Sequence, residues 1–170
     1  HGDDRRQRQM CIRDSSIIFK IKMPNELLKN KKGIIFGALD ESSIAWKTAE
    51  KVFEQGGRFV LTNSPVAVRM GSIDLLAKKT NSIVIPADAT SNTDLENLIE
   101  ESIKHFNDKI DFVLHSIGMS INVRKGKHYT NLNHDWLTKG WNISAASFHR
   151  LMQCLYLSLI HISEPTRRTQ

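Results

Sequence analysis

The segment GIIFGALDESSIAW at residues 33–46 constrains the fold more than any other stretch of this chain. A short apolar run stops at Gly37, and a stretch of helical periodicity begins a few residues later. Ser42 or Ser43 can cap that helix, and Ile44, Ala45, Ala49, Val52 and Phe53 fall near helical spacing as far as Gln55. The unit therefore reads as strand, tight turn and helix. Only one glycine marks the turn, where a G-x-G-x-x-G phosphate loop would carry three.

Similar signals follow along the chain. Gly56-Gly57 stops the helix, and RFVLTN (58–63) reads as a second strand. Pro65 opens a segment in which Val66, Met70, Ile73, Leu76 and Ala77 recur at helical intervals up to Lys79. SIVIPADAT (82–90) reads as a third strand, with Pro86 expected at its end or on its non-bonded side. Residues 91–93 offer N-caps for a helix whose Leu95, Leu98, Ile99, Ile103 and Phe106 share one face. DFVLHSIGMS (111–120) is nearly all apolar before His115, as expected of a strand covered on both sides. A Lys- and Gly-containing loop then leads to an amphipathic helix from about His134 to Tyr156. Alternating strands and helices imply an α/β fold, a Rossmann-like doubly wound parallel sheet with right-handed crossovers, truncated after about four strands.

A chain of 170 residues suits one domain with a real core. No apolar run reaches the roughly 20 residues that cross a bilayer, and the reading is a soluble, cytoplasmic protein without membrane association. Cys11 and Cys154 give no metal spacing, so no metal is expected. The net charge of +6 is unevenly built. Residues 1–15 and 157–170 hold six Arg and no Lys, whereas the middle holds 14 Lys, four Arg and all eleven Asn. The ends RQRQMCIRDS and SLIHISEPTRRTQ resemble translated sequencing-adapter reads. The expected organisation is thus a non-native tail at 1–15, a partial dinucleotide-binding domain at 16–156 and a second non-native tail at 157–170. With few aromatics among its basic residues, the body does not point to nucleic acid.

Ligands in open parallel sheets bind outside the carboxyl ends of the strands. Four candidate positions lie there: Gly37 with Ser43 after the first strand, Ser64 after the second, Asp88-Ala89 after the third and Ser116-Ile117-Gly118 after the fourth. Asp40 and Glu41 would repel a pyrophosphate and must therefore point away from it. His115 and His149 receive no catalytic role, since a histidine at a strand end or on a helix is more often structural.

GALDESSIAW, LTNSP, PADAT and HSIGMSINVRKG together resemble the enoyl-acyl-carrier-protein reductases of bacterial fatty acid synthesis, a branch of the short-chain dehydrogenase/reductases, over about residues 25–156. In that branch the first loop reads Gly, five intervening residues and Ser-Ile-Ala, which is Gly37 and Ser43-Ile44-Ala45 here. The resemblance implies that Gly37, Ser43 and Ile44 cradle the cofactor phosphates and nearby ribose. It places Ser64 at the adenosine ribose, Asp88 and Ala89 at adenine, Ile117 and Gly118 beside the nicotinamide, and Ser120 facing acyl substrate. It tilts the cofactor to NADH. NADPH stays open because no acid follows the second strand; Arg69 is a candidate 2′-phosphate contact, with a solvated helix arginine the more ordinary reading. The implied substrate is an acyl carrier protein-linked enoyl thioester, and the implied intact assembly is a homotetramer.

The same family uses a tyrosine with a lysine after six intervening residues to donate to the thioester. Here the residue at that spacing from Tyr129 is Trp136, and from Tyr156 it is Ser163. The shorter spacing of three intervening residues gives Asn133 and Ile160. No catalytic residue is therefore assigned, and the chain is expected to bind a cofactor without reducing substrate. A non-catalytic nucleotide-binding module is the alternative.

Overall fold

The structure, a computed structural model, describes residues 26–163. The expected tail at 1–15 lies outside them, as do residues 164–170 of the expected tail at 157–170. Four strands, β1 (Lys32–Phe36), β2 (Arg58–Thr62), β3 (Ile83–Val84) and β4 (Phe112–His115), form one sheet in the order β3-β2-β1-β4. All three pairings are parallel. Helix α1 (Ile44–Glu54) joins β1 to β2, α2 (Pro65–Met70) and α3 (Ile73–Thr80) join β2 to β3, and α4 (Asn92–Phe106) joins β3 to β4. After β4 come the short α5 (Ile121–Arg124), α6 (His134–Trp141), a π-helical turn at Asn142–Ala146 and α7 (Ser147–Ser163).

Strand alternation divides the core into two layers. Ile34 and Phe36 face one side and Ile35 the other, and all three are fully buried. The first side packs against Leu95, Leu98 and Ile99 of α4 and Leu151 of α7. The second packs against Ala45, Trp46 and Ala49 of α1 and Leu76 of α3. The sheet is therefore covered by helices on both faces, as the apolar strand sequences require.

The helix ends follow from local chemistry. Ser91 Oγ accepts the Asp94 amide at the start of α4, and Asp94 in turn accepts the Ser91 hydroxyl at 3.0 Å. Asn81 and Asn107 close α3 and α4 in the left-handed region at φ 49° and 50°, where asparagine replaces the more usual glycine.

Four segments differ from their sequence pattern, the first being the single helix expected from about His134 to Tyr156, which a π turn at Asn142–Ala146 interrupts and which runs on to Ser163. The single helix expected at 65–79 is two, broken at Gly71-Ser72, whose Ser72 amide donates to Leu39 O at 2.9 Å. Ile73, Leu76 and Ala77 enter the core as their spacing suggests, while Val66 and Met70 stay 56% and 81% exposed. The third strand pairs regularly over only two residues. Its chain continues beside β2, with the Ile85 and Ala87 amides donating to Leu61 O and Asn63 O, so Pro86 falls on the outward, non-bonded side. The fourth strand ends at His115, and residues 116–120 form a loop.

Polar contacts brace the frame at two places. Lys31 and Lys32 reach Asp111 and Asp108 across the start of β1 and β4, and the Lys32 amide donates to Asp111 Oδ2 at 3.0 Å. Between α1 and α3, Glu50 accepts from Lys79 at 2.7 Å and from Trp46 Nε1 at 3.2 Å. The Lys79 bond, with smaller help from Trp46 and Lys47, pulls the Glu50 carboxyl from 4.5 down to about 2. Because the folded value is the lower one, this contribution is complete above the ordinary carboxylate range and is lost as pH falls toward the folded value. Glu50→Gln is therefore expected to lower stability at neutral pH and to make the acid loss between about pH 4.5 and about 2 shallower. Urea melts at stepped pH check this, and an unchanged acid limb would reject it.

Among the described residues, β4 is an edge strand. A groove of about 320 Å³, lined by Val113, Phe148, Leu151, Met152 and Tyr156 among others, runs beside it. An apolar edge with open ladder groups templates association. The 170-residue chain alone is expected to form non-native oligomers as its concentration rises. A concentration-independent monomer in sedimentation velocity would count against that.

Candidate functional site

The carboxyl ends of β1, β2 and β4 open into a cleft of about 490 Å³, within the roughly 300–1,000 Å³ usual for ligand clefts. Its geometry starts at Gly37, which leaves β1 at φ +91° while its amide donates to Thr62 O at 3.1 Å. A Cβ at this position would lie 2.0 Å from Ser116 O. Glycine is thus required twice over, for the left-handed backbone and for the close approach of the β4 loop.

The first loop is held by its own polar groups. The Ser43 hydroxyl donates to Asp40 O at 2.7 Å and accepts from the Leu39 amide at 3.3 Å. It makes no capping bond to α1. The expected cap is absent because the hydroxyl folds back over the turn, and no capping side chain covers the first amides of α1. The Asp40 carboxylate accepts both the amide and the hydroxyl of Ser42, and these two bonds hold it below the usual carboxylate range. Neither Asp40 nor Glu41 lines the cleft.

Gly37, Ser64, Ile117 and Gly118 do line it together. Ser64 caps α2, its Oγ accepting the Ala67 amide at 3.3 Å. Ser43 and Ile44 begin α1 outside the lining, with Ile44 78% exposed. Asp88 and Ala89 stand apart. Asp88 Oδ1 accepts the amide and hydroxyl of Thr90, its own amide donates to Asp94, and Ala89 is buried in the core. Ser120 caps α5 by accepting the Val123 amide and does not line the cleft.

Two polar residues of the cleft, Asn63 and Arg124, are not among the candidates drawn from the sequence. Asn63 donates to Ala38 O at 3.1 Å and accepts the Ser64 amide at 2.9 Å, tying the ends of β1 and β2 together. An amide directly after a strand is the feature that marks it. Arg124 contributes the cleft's one formal charge. Nothing in the spacing of RKGK separates it from its solvated neighbours.

A glycine-turned strand end, an uncapped helix N-terminus and a cleft across three parallel strands form the arrangement in which open α/β sheets receive anionic ligands. The family model described as Enoyl-(Acyl carrier protein) reductase matches residues 37–160, and the chain belongs to that family. The Enoyl-[acyl-carrier-protein] reductase [NADH] 2 of Rhizobium meliloti (strain 1021) is 28% identical over 124 residues, which are 73% of this chain and 46% of the relative. The chain spans about half the length of the curated relatives it matches. Among solved structures, the FabI-NADH complex from Alistipes finegoldii is 58% identical with a TM-score of 0.76, covering 78% of this chain and 47% of that one. The FabI structure from Candidatus Liberibacter asiaticus is 26% identical with a TM-score of 0.69, over 82% of this chain and 53% of that one.

Gly37→Ala is expected to cost more than about 2 kcal/mol, since it combines a strained φ with a backbone clash. Chemical denaturation measures this, and a loss within about 0.5 kcal/mol, the range of an unremarkable surface change, would overturn the close-approach argument.

Proposed function

We propose that this chain is the cofactor-binding portion of an NADH-dependent enoyl-acyl-carrier-protein reductase. The observation that carries the reading is the cleft in which Gly37, Ser64, Ile117 and Gly118 converge at three strand ends. Its support is the 58% identity to a relative whose structure is described as a FabI-NADH complex. NADH, when bound, supplies the hydride that reduces the β-carbon of a trans-2-enoyl thioester.

The chain's own residues bind and orient. The Gly37 turn brings backbone close to the pyrophosphate, and the uncapped amides of α1 face its charge. Ser43 holds the loop shut by its bonds to Leu39 and Asp40, with Ile44 beside it. Ser64 serves the adenosine ribose and Ile117 and Gly118 flank the nicotinamide, while Asp88 and Ala89, outside the cleft lining, are assigned to adenine by the family resemblance alone. Gly118 has nothing within 4 Å of where a Cβ would stand, which leaves room for a ring. Ser120, also outside the lining, is assigned to the acyl end on the same ground. Residues 16–156 are the dinucleotide-binding unit in this reading, and 1–15 and 157–170 are foreign to it.

No tyrosine in the 170 residues has a lysine at either reductase spacing, so the protonation step has no donor of that kind here. The complete enzyme acts in the cytoplasm on substrate carried by acyl carrier protein. The exposed Phe148, Met152 and Tyr156 of α7 favour helix pairing in a homotetramer. Among the described residues, no helix is long and apolar enough to cross a membrane.

Fluorescence titration of the 170-residue chain with NADH and NADPH is the test. Saturable binding that favours NADH is expected, without NADH consumption when a trans-2-enoyl thioester is added. No saturable binding of either dinucleotide would refute the cofactor reading, and turnover would refute the catalytic one.

A further inference from the structure

The loop that forms one wall of the cleft, residues 116–119, is held at both ends by the same helix. Gly140, Ser144 and Ser147 share a face at i, i+4 and i+7 across the π turn. Ser144 Oγ accepts the Met119 amide at 2.9 Å and donates to Met119 O at 3.3 Å, so one hydroxyl satisfies both backbone groups of that residue. Gly140 permits the contact, because a Cβ there would lie 2.9 Å from Met119 O.

At the other end, Ser147 Oγ donates to Ile143 O at 2.6 Å and pairs with His115 Nε2 at 2.8 Å. With its only proton committed to Ile143, the serine must accept, which assigns the proton to His115 Nε2. Phe36 and Phe148 pack on the same imidazole. Ser147 is fully buried, and burial holds the His115 pKa below its ordinary value, which favours the neutral ring.

The geometry points to the π turn as a clasp: Ser144 and Ser147 are positioning residues that set the 116–119 wall for the nicotinamide end of the cofactor. The assignment rests on the dinucleotide reading above. Neither serine touches the adenosine side, where Ser64 stands, so the clasp affects one end of the ligand selectively. A regular α-helical ladder is widened here, with the Ser147 amide bonding Asn142 O five residues back.

The test compares wild type, Ser144→Ala and Ser144→Thr in the full 170-residue chain. Amide hydrogen exchange at Met119 should be faster in Ser144→Ala and protected again in Ser144→Thr, with the Gly37 amide unchanged in both. Ser144→Ala, which removes both bonds to Met119, should weaken NADH about fivefold and leave adenosine diphosphate binding unchanged; threonine should restore NADH. His115→Gln, which keeps a donor near Nε2, should bind NADH better than His115→Leu. Unaltered Met119 exchange in Ser144→Ala, or equal weakening of both ligands, overturns the clasp while leaving the cofactor reading intact. Wild-type chain that binds neither ligand overturns the cofactor reading and the clasp with it.

Discussion

The structure depends on how closely the end of β1 approaches the loop after β4. Two parallel strands normally keep their backbones near 4.8 Å apart, but beyond their last pair the Gly37 and Ser116 backbones converge until no side chain fits between them. The Gly37 amide at the same point bonds Thr62 O on the opposite neighbour. One residue thus joins three strand ends, and the cleft is the space left above that junction. The loop after β1 then has little freedom. Its carboxylate is tied to Ser42 and its serine hydroxyl is turned inward, which leaves the helix N-terminus open to an anion.

Much of this was legible in the sequence, because the signals were local. The strand that ends in glycine, the double glycine after α1 and the α4 stripe ending at Phe106 all correspond to observed elements, and the doubly wound order follows from their alternation. Val66 and Met70 show where periodicity misleads. They repeat at helical intervals with true core residues, yet the break at Gly71-Ser72 turns α2 toward the cleft and leaves them exposed. Apolar spacing records which side chains share a helix face, and it does not record whether the core or a ligand covers that face. The π turn was illegible for a related reason: Gly140, Ser144, Ser147 and Leu151 fit helical spacing with or without it.

The site was legible in part. Gly37, Ser64, Ile117 and Gly118 converge as strand-end logic suggests, since parallel topology alone brings strand ends together. Asn63 and Arg124 escaped because their roles come from tertiary placement. Asn63 bridges two loops 25 residues apart, and Arg124 reaches the cleft only because α5 folds back beside the β4 loop. Asp88 stands at a strand end too, and its Oδ1 closes a turn with Thr90.

Pro86 gives the two sides of this sheet different futures. On the β3 side, the residues on either side of Pro86 spend their amides on β2, and the proline presents an outward position with no proton to give. At that position the border offers no donor to a further strand. The β4 border has no such stop among the described residues. The two borders of the sheet are therefore unequal: a ladder growing past β3 meets a missing donor at Pro86, and one growing past β4 meets none among the described residues.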